Sequence, residues 1–187
     1  MKEISLNILD IAQNSIAADA DTVMIEVSED TLGDKMTVII TDNGKGMSEE
    51  MLSTVTDPFT TGRTTRRVGL GIPLLKHAAE LTGGSFDIKS KPGEGTTVTA
   101  VFGLSHIDRQ PLGNIASTMH QLAVMNENTD FIYVHSIDEK VFRFDTKEIK
   151  KILGGVSLNA PEVSIWLLEY LKENEEAIAD TVERKGN

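Results

Sequence analysis

The sequence predicts an α/β arrangement, in which helices lie in a layer against a sheet of antiparallel hairpins, followed by an α+β extension. Two observations support the layered fold. Apolar residues near the N-terminus recur with the period of a helix, and two pairs of short segments alternate apolar and polar residues as strands do. A helix precedes each strand pair, and this order favours helices packed on a sheet. The pattern changes after residue 103, so we expect domains at 1–103 and 104–187.

The elements of the first segment follow in order from their composition. Apolar residues within 4–16 predict a helix with one buried face, and Ser48 predicts the start of a short helix. Residues 54–69 are rich in Thr, Gly and Arg and lack periodicity, so we expect a mobile loop there. The other predicted elements are two strands at 23–27 and 36–40 joined by a hairpin loop, a helix over 70–81 that ends at Gly83-Gly84, and two strands at 86–89 and 97–102 joined by a turn at 91–95.

The extension has a mixed composition of helices and strands. Its predicted elements are a helix over 114–125, a hairpin of strands at 131–136 and 140–145, a short helix over 146–153, and a long final helix that opens at 159–161. Trp166, Leu167, Tyr170 and Leu171 lie close together on the final helix. This cluster has two interpretations, which are packing on the chain's own core and contact with a second copy in a homodimer.

The composition excludes several classes of function. The 187 residues include 18 Lys plus Arg and 29 Asp plus Glu, so the net charge is −11 at pH 7. A chain this acidic is not expected to bind nucleic acid or an anionic membrane non-specifically. Because it has no cysteine, disulfides, thiolate metal sites and a cysteine nucleophile are excluded. No apolar run approaches the ~18 residues of a membrane span and no signal-peptide pattern opens the chain, so we expect a cytoplasmic location.

Asp10 and Asn14 form the first candidate piece of a functional site. Because they are four residues apart on a predicted helix, their side chains project from one side within roughly 6 Å of each other. An amide oxygen such as that of Asn14 can ligate Mg²⁺, and a carboxylate one turn away can orient a water for attack. The alternative is that both are ordinary polar residues at a helix surface. The chain has no phosphate loop of the GxxxxGK[ST] kind, so a nucleotide site needs another design.

The second piece, Asp42-Asn43-Gly44-Lys45-Gly46-Met47, directly follows a predicted strand. The alternation of that strand turns Asp42 toward the core. A buried carboxylate needs a partner, and the exocyclic amine of adenine is a suitable one. Gly44 and Gly46 let the backbone turn tightly and approach a flat ring. The alternative is a simple β-turn, for which Asp-Asn-Gly is also suited.

The third piece lies at the start of the 70–81 helix, where Gly69, Leu70 and Gly71 follow the Thr- and Arg-bearing loop. Glycines at a helix N-terminus expose amide N–H groups and the positive end of the helix dipole, which suits phosphate. Helix starts often carry glycine, so taken alone this motif does not distinguish a phosphate site from an ordinary helix start.

Together these motifs resemble the GHKL superfamily of ATP-binding domains, most of all those of histidine kinases and anti-sigma serine kinases. The motifs follow the family order over about residues 3–103. They are DIAQNSIAADA at 10–20, DNGKGM at 42–47, DPFTTGR at 57–63, VGLGIPLLKHAAELTGG at 68–84 and GEGTT at 93–97. The resemblance implies a Bergerat fold, which is an α/β two-layer sandwich of a mixed sheet with helices on one face. It also implies ATP and Mg²⁺ as cofactors.

The resemblance further implies roles for single residues. By position, Asp42 would bind adenine, Asn14 would ligate Mg²⁺, and Asp10 stands at the general-base position. The residues implied at the ATP site besides Asn14 and Asp42 are Gly44, Lys45, Gly46, Met47, Thr60, Thr61, Arg63, Gly69, Leu70, Gly71 and Thr96. Lys45 and Arg63 would supply positive charge near the phosphates, and a solvated lid is the alternative role for these cations.

Two departures from the family pattern argue against rapid hydrolysis. Asp10 stands where gyrase-like and anti-sigma members have a Glu general base, and the shorter side chain positions a water less well. Ala17 stands where many histidine kinases have Lys or Arg. The sequence therefore predicts ATP binding with slow or absent hydrolysis.

One segment resembles the phosphoacceptor motif of sensor kinases, SHExRxPL. It reads SHIDRQPL at 105–112, with His106 in the acceptor position and Ile107 in place of the acidic residue. A chance similarity is the alternative. Because few residues precede the first ATP-site motif, we expect the helical hairpin that carries the acceptor histidine in histidine kinases to be absent, so that a partner protein would provide the acceptor.

Three functions are weighed, and the expected partners are ATP or ADP and a protein partner or phosphoacceptor. The first is an Mg-ATP-binding regulator of the histidine kinase-like type, including a protein kinase that transfers the γ-phosphate to a histidine or serine of a partner. The second is an ATP-gated protein-interaction module with weak or no hydrolysis. The third is a vestigial nucleotide domain with a structural role. A DNA-dependent motor of the gyrase or MutL type is disfavoured by the length and the net charge.

Overall fold

The computed structural model describes residues 3–56 and 70–183, with side chains described as far as residue 180. The helices are α1 (Ile4–Ala17), α2 (Glu49–Val55), α3 (Gly71–Leu81), α4 (Ile115–Met125), α5 (Thr146–Leu153) and α6 (Pro161–Glu183). The strands are β1 (Thr22–Asp30), β2 (Lys35–Asp42), β3 (Ser85–Lys91), β4 (Gly95–Gly103), β5 (Asp130–Ile137) and β6 (Lys140–Asp145). The expected α/β sandwich with an α+β extension is confirmed.

The described strands form one six-stranded sheet in the order β3-β4-β2-β1-β5-β6. β1 pairs in parallel with β5, where Val23 lies opposite Phe131, and the other neighbours in the sheet are antiparallel. Asp42, the last residue of β2, lies opposite both Val23 and Thr96. Strands from both sides of residue 103 share this mixed sheet, and the division of the chain there stays a prediction.

The core lies between the sheet and a layer of helices. Alternate residues of the strands are buried, such as Val23, Ile25 and Val27 of β1, which are at most 1% exposed. α1 contacts α3 and α4, and α4 also contacts α6, so these four helices form a row across one face of the sheet. On α1 the apolar residues Ile4 and Ile8 are fully buried one turn apart, as the helical period predicts.

The short helix α2 begins where the sequence predicts and ends later than expected. The Ser48 hydroxyl accepts a hydrogen bond from the amide of Met51 at 3.3 Å, which caps the first turn. The expectation of a loop from residue 54 was wrong at its start, because α2 continues to Val55, which is 4% exposed and packs in the core. The rest of the predicted loop, 57–69, lies outside the described residues.

The extension, rather than a side-chain cap, holds the first turn of α1. The N-cap residue Glu3 makes no capping side-chain hydrogen bond. Instead, the amides of Ile4 and Ser5 donate to the carbonyl oxygens of Pro111 and Leu112, at 3.0 and 2.8 Å. The first amides of a helix lack hydrogen-bond partners within the helix, and these two bonds satisfy two of them in place of a side-chain cap. The helix that carries two predicted site residues is therefore fastened at one end by the extension.

The final helix α6 packs on its own chain. Leu167 and Leu171 are fully buried, whereas Trp166 is 46% exposed and stacks on Tyr170 with ring centroids 5.4 Å apart. Core packing is thus the observed role of the two leucines, and a homodimer through this helix stays a prediction. Among the described residues, no helix combines the length and the apolar character needed to cross a bilayer.

A cluster of charged side chains joins α6 to the sheet. His135 of β5 is 3% exposed, and its Nδ1 lies 2.8 Å from Oε2 of Glu175 on α6, while its Nε2 lies 3.5 Å from Oε1 of Glu29 on β1. The Tyr133 hydroxyl donates to the other oxygen of Glu175 at 2.9 Å. Burial alone would lower the pKa of His135, but the two carboxylates on either side of the ring raise it to about 9. His135 is therefore an imidazolium at neutral pH.

Candidate functional site

The candidate site is a cavity of about 330 Å³ between α1 and the sheet, where β2 ends and β4 begins. Its volume falls in the range of small-molecule and cofactor sites, which starts near 300 Å³. Apolar side chains form most of its wall, and the polar groups lie at α1 and at the end of β2. The lining residues are Ile11, Asn14, Ser15, Ala17, Ala18, Ile40, Asp42, Lys45, Gly46, Met47, Met51, Val55, Ile72, Thr96 and Val98.

Asp42 is the buried charged group of this cavity. It ends β2 on the core-facing side of the strand, as strand alternation predicts, and is 9% exposed. The Ser15 hydroxyl donates to its Oδ2 at 2.6 Å, and the Gly44 amide donates to its Oδ1 at 2.9 Å. A carboxylate has about four acceptor positions, so the side chain is held in place and can still accept further hydrogen bonds from a ligand.

The two glycines of the DNGKGM segment are required by contacts with neighbouring backbone. Gly46 has a φ of +66°, and a Cβ there would lie 1.9 Å from the carbonyl oxygen of Lys91. A Cβ on Gly44 would lie 2.7 Å from the carbonyl oxygen of Ala18. The close approach that these glycines permit in this structure is therefore to the chain itself, which presses the segment against α1 and the end of β3.

Thr96 lies beside Asp42 in the sheet and shares a hydrogen-bond network with β3. Its hydroxyl is 2.9 Å from the Ser90 hydroxyl, which also accepts a hydrogen bond from the Met47 amide at 2.8 Å and lies 2.9 Å from the Gly95 carbonyl oxygen. Ser90 thus joins the DNGKGM segment to the first residues of β4, and its hydroxyl holds that of Thr96, a residue that lines the cavity.

Asn14 and Asp10 lie on the same side of α1 but differ in their relation to the cavity. Asn14 lines it, and its Nδ2 is buried without a hydrogen-bond partner. Asp10 stands one turn away beside the start of α3, where a Cβ on Gly71 would lie 2.6 Å from the Asp10 Cβ. Partial burial raises the pKa of Asp10 above its ordinary value. The structure thus brings Asn14 to the cavity, whereas Asp10 is not among the residues that line it.

Of the remaining predicted site residues, the structure describes Lys45, Leu70 and Gly71 but not the others. Lys45 lines the cavity, and its Nζ pairs with Oδ2 of Asp19 at 3.0 Å. Leu70 is 52% exposed and precedes Gly71, which opens α3 without a side-chain cap. The predictions for Thr60, Thr61, Arg63 and Gly69 lie outside the described residues.

His106 is not brought to the cavity. Thr96 lies at the cavity end of β4, whereas His106 follows the far end of that strand at Gly103. Seven strand residues span ~23 Å at 3.3 Å each, so the two ends are far beyond the reach of one phosphate transfer. The His106 side chain is exposed, and its Nδ1 accepts a hydrogen bond from the Asp108 amide at 3.1 Å. Its role as an acceptor stays a prediction, and one that needs a second molecule.

The site predictions missed Ser15 and Ser90. A signal for Ser15 was present, because it lies four residues after Ile11 on the apolar face of the first helix and next to Asn14. Ser90 shares strand parity with Phe86 and Ile88, which places its hydroxyl on the helix-facing side of β3.

The side chains at the cavity suit Mg²⁺ only if a nucleotide supplies the remaining ligands. Among the described residues no group of three or more His, Cys, Asp or Glu side chains is arranged to hold a metal ion. Mg²⁺ commonly takes one or two protein oxygens and completes its shell with phosphate oxygens and waters. The oxygen of the Asn14 side-chain amide, at the cavity wall, suits that mode of binding. The Nδ2 of the same amide is buried without a hydrogen-bond partner, and an anionic ligand could accept a hydrogen bond from it.

The chain was compared with families and with known proteins. The family model described as histidine kinase-, DNA gyrase B-, and HSP90-like ATPase matches residues 1–106. The chain is 34% identical over 116 residues to the non-motile and phage-resistance protein of Caulobacter vibrioides, which covers 59% of this chain and 14% of that protein. It is 33% identical over 98 residues to sporulation kinase D of Bacillus subtilis, covering 52% and 19%. A putative NtrY-like sensor histidine kinase of Rickettsia conorii is 31% identical over 108 residues, covering 58% and 18%.

The chain spans less than a fifth of the length of these relatives. Among solved structures, the N-terminal domain of a DNA repair protein superposes with a TM-score of 0.54 at 14% sequence identity, covering 78% of this chain and 52% of that one. This likeness concerns the fold alone, and it extends beyond the residues that the family model matches.

Proposed function

Because the chain belongs to the histidine kinase-, DNA gyrase B- and HSP90-like ATPase family, we propose that it is a regulatory protein that binds Mg-ATP in the cavity beneath α1. The observation that carries the proposal is a buried carboxylate, Asp42, held by two donors in the wall of an otherwise apolar cavity. Burying a carboxylate whose acceptor positions are not all used costs folding free energy, and a ligand that donates to those positions would offset the cost.

The cavity has the chemistry that an adenine ring needs. Ile40, Ile72 and Val98 provide apolar surface for the ring faces, and the Asp42 carboxylate can accept a hydrogen bond from the exocyclic amine. The Thr96 hydroxyl beside Asp42 is a second polar group for the ring edge.

The triphosphate needs local positive charge, because the chain carries a net charge of −11. Lys45 at the cavity and the amides at the start of α3 are described groups that suit phosphate, although the Lys45 ammonium is shared with Asp19. Asn14 would hold Mg²⁺ through its amide oxygen. The bound ion would compensate part of the phosphate charge, and Asn14 would be the residue of α1 that holds it.

We expect the protein to hydrolyse ATP slowly, and its affinity for a protein partner to depend on whether a nucleotide is bound. The raised pKa of Asp10 favours proton uptake, but the side chain does not line the cavity and is one methylene shorter than Glu. A bound nucleotide would therefore persist and bias the conformation around α1 and α3. In this form the protein is an ATP-gated module, whose affinity for a protein partner depends on the nucleotide.

A protein kinase is the second candidate, and the names of two relatives favour it. Sporulation kinase D and the NtrY-like putative sensor histidine kinase match this chain over more than half of its length. A kinase function would require a histidine or serine acceptor on a partner protein or on a second copy, because His106 lies at the other end of β4.

The proposed function is tested by titrating the protein with ATP in a calorimeter, with and without Mg²⁺. We expect Asp42→Asn to weaken ATP binding by about tenfold or more, since a charged acceptor is replaced by an amide. Asp87→Asn is the matched control, because Asp87 is an exposed strand residue paired with Lys89. Unchanged ATP affinity in Asp42→Asn would overturn the site, and the absence of any ATP binding by the native chain would overturn the function.

The two candidate functions differ in the fate of the γ-phosphate. With γ-labelled ATP, a kinase leaves label on an acceptor protein, and label that is acid-labile indicates histidine. If label on this chain disappears in His106→Ala, His106 is the acceptor. ATP-dependent partner affinity with no transferred label supports the gated module instead.

A further inference from the structure

We propose that a second cavity, between the start of α4 and the second half of α6, binds a free basic α-amino acid of the lysine or arginine class. The cavity has a volume of about 780 Å³, and among the described residues it shares no lining residue with the nucleotide cavity. Residues of β1 and β5 also line it, and so does Glu3, the residue that precedes α1. The inference goes beyond the proposed function, because it does not depend on nucleotide binding.

The wall of this cavity contains a buried donor that lacks a partner. His135 lines the cavity and is 3% exposed. Its Nδ1 is bound by Glu175 at 2.8 Å, but its Nε2 has no hydrogen-bond partner among the described residues. Oε1 of Glu29 lies 3.5 Å from Nε2, which is longer than an ordinary N–H···O bond. Leaving a buried donor unpaired costs free energy, so a ligand atom that accepts a hydrogen bond beside Glu29 would stabilise the site.

The same wall carries an excess of negative charge. Its charged lining residues are four carboxylates and two cations, namely Glu3, Glu29, Glu175, Glu176, His135 and Lys172. Tyr133 and His135 already use both oxygens of Glu175. The Glu29 side chain is 21% exposed, and it accepts no hydrogen bond of ordinary length from the residues that the structure describes. An ammonium group is a suitable partner for it, because hydrogen bonds between two charged groups are the strong ones.

A metal ion is a poorer occupant than an organic cation. In the part of the chain that the structure describes, no group of three or more His, Cys, Asp or Glu side chains is arranged to hold one. The occupant must also carry a hydrogen-bond acceptor for Nε2 of His135, and a bare cation has none. An organic ligand with both a donor and an acceptor therefore fits this wall better.

An α-amino acid has that donor and acceptor side by side. Its ammonium and carboxylate groups are attached to the same carbon, as the Oε1 of Glu29 and the Nε2 of His135 are neighbours in the wall. Two further features favour the carboxylate. The first residues of α4, Ile115 and Ala116, line the cavity, and the positive end of a helix dipole attracts an anion. Lys172 adds a positive charge from α6.

The charge of the wall also selects the side chain of the ligand. The raised pKa of His135 keeps its ring protonated at neutral pH, so the carboxylates of the wall outnumber its cations by two. A neutral amino acid carries no net charge and leaves this excess unchanged, whereas a basic one reduces it. Glu3 and Glu176 can receive the second cation, and Leu112 and Ile137 offer apolar surface to an aliphatic stem.

The test measures Kd by calorimetry on the full chain at about 0.15 M salt, where attraction between exposed charges is largely screened. The probes are L-lysine, L-arginine and two analogues of lysine. L-norleucine lacks the terminal amine, and cadaverine lacks the carboxylate. We expect L-lysine, L-arginine or both to bind about tenfold or more tightly than either analogue, since each analogue loses one contact between charged groups.

Two variants locate the bound amino acid. Glu29→Gln should raise the Kd for the basic amino acid about tenfold, because it removes the charge that holds the ammonium. Glu26→Gln is the matched control, since Glu26 lies on the same strand with its side chain on the other face of the sheet, and it should leave the Kd unchanged. Lys172→Gln should weaken binding of the amino acid but not of cadaverine, which has no carboxylate.

Urea unfolding of each variant checks that the fold is retained. Lys172 is exposed on α6, so Lys172→Gln keeps the inference testable if Glu29→Gln does not fold.

Three results would overturn the inference. In the first, the native chain binds neither L-lysine nor L-arginine. In the second, cadaverine binds as tightly as L-lysine, which would mean that the cavity attracts any organic cation. In the third, Glu29→Gln and Lys172→Gln bind the amino acid as the native chain does, which would place it elsewhere. None of these results bears on ATP binding, so the proposed function is decided separately by its own titration.

Discussion

Raising the pH through 9 should weaken the attachment of α6 to the sheet, because His135 then loses its proton. His135 lies between Glu29 and Glu175, which hold its pKa at about 9 in the folded chain against about 6.5 in an unfolded one. A group whose pKa is raised by folding contributes stability that is fully present below the unfolded value and is lost as the pH rises through the folded value. The difference between 9 and 6.5 corresponds to roughly 3 kcal/mol.

The assay is urea unfolding from about pH 6 to about pH 10, on the native chain and on His135→Gln. Most other groups titrate alike in both proteins, so the difference between their free energies of unfolding isolates His135. Burial and Glu175 raise the pKa of Tyr133 well above its ordinary value, so this neighbour stays neutral throughout. We expect the advantage of the native chain to shrink by about 3 kcal/mol between those two pH values.

A difference that stays constant over this range would refute the reasoning, because it would mean that folding does not change the protonation of His135. A direct check is the NMR titration of the His135 ring, whose midpoint should lie near 9. A midpoint near the ordinary value of 6.5 would show that the carboxylates do not outweigh burial.

The remaining predictions concern the cavity wall, the core and the extension. Gly95→Ala should lower the free energy of unfolding by about 1–3 kcal/mol more than Gly93→Ala. Both glycines have positive φ, but a Cβ on Gly95 would lie 1.9 Å from the carbonyl oxygen of Asp42, whereas a Cβ on Gly93 would meet nothing within 4 Å. Leu167→Ala should cost about 2–5 kcal/mol in urea unfolding, because Leu167 is fully buried, whereas Ile165→Ala, 62% exposed, should cost little. A chain ended at residue 103 should unfold at lower urea concentration or aggregate, since β1 loses β5; native-like unfolding of that piece would contradict this.

Local patterns predicted the elements that bear the candidate site. The burial of Asp42 follows from the alternation of β2, and the inward face of α1 follows from the spacing of residues such as Ile4 and Ile8. These predictions succeeded because each depends on residues within one element. The sequence was also sufficient to identify the family, since the motifs lie in order along one segment.

Contacts between distant segments were not predictable in the same way. Nothing near Ile4 indicates that the Pro111 carbonyl completes the first turn of α1, and nothing in β1 indicates that its second neighbour is β5. The network of Ser90 was missed for a related reason, because β3 alternates only between exposed and half-buried residues and so gives a weak facing signal. Such pairings depend on tertiary packing rather than on local preference.

The parallel pairing of β1 with β5 has a consequence for the chain as it is synthesised. The Ala20 carbonyl, just before β1, receives a hydrogen bond from Thr129, which is 109 residues later in the chain. At a synthesis rate of about 5–20 residues per second, the edge of β1 that pairs with β5 remains unpaired for on the order of 5–20 s. An open strand edge can pair with other chains, so the nascent protein is exposed to aggregation during this interval unless a chaperone protects the edge.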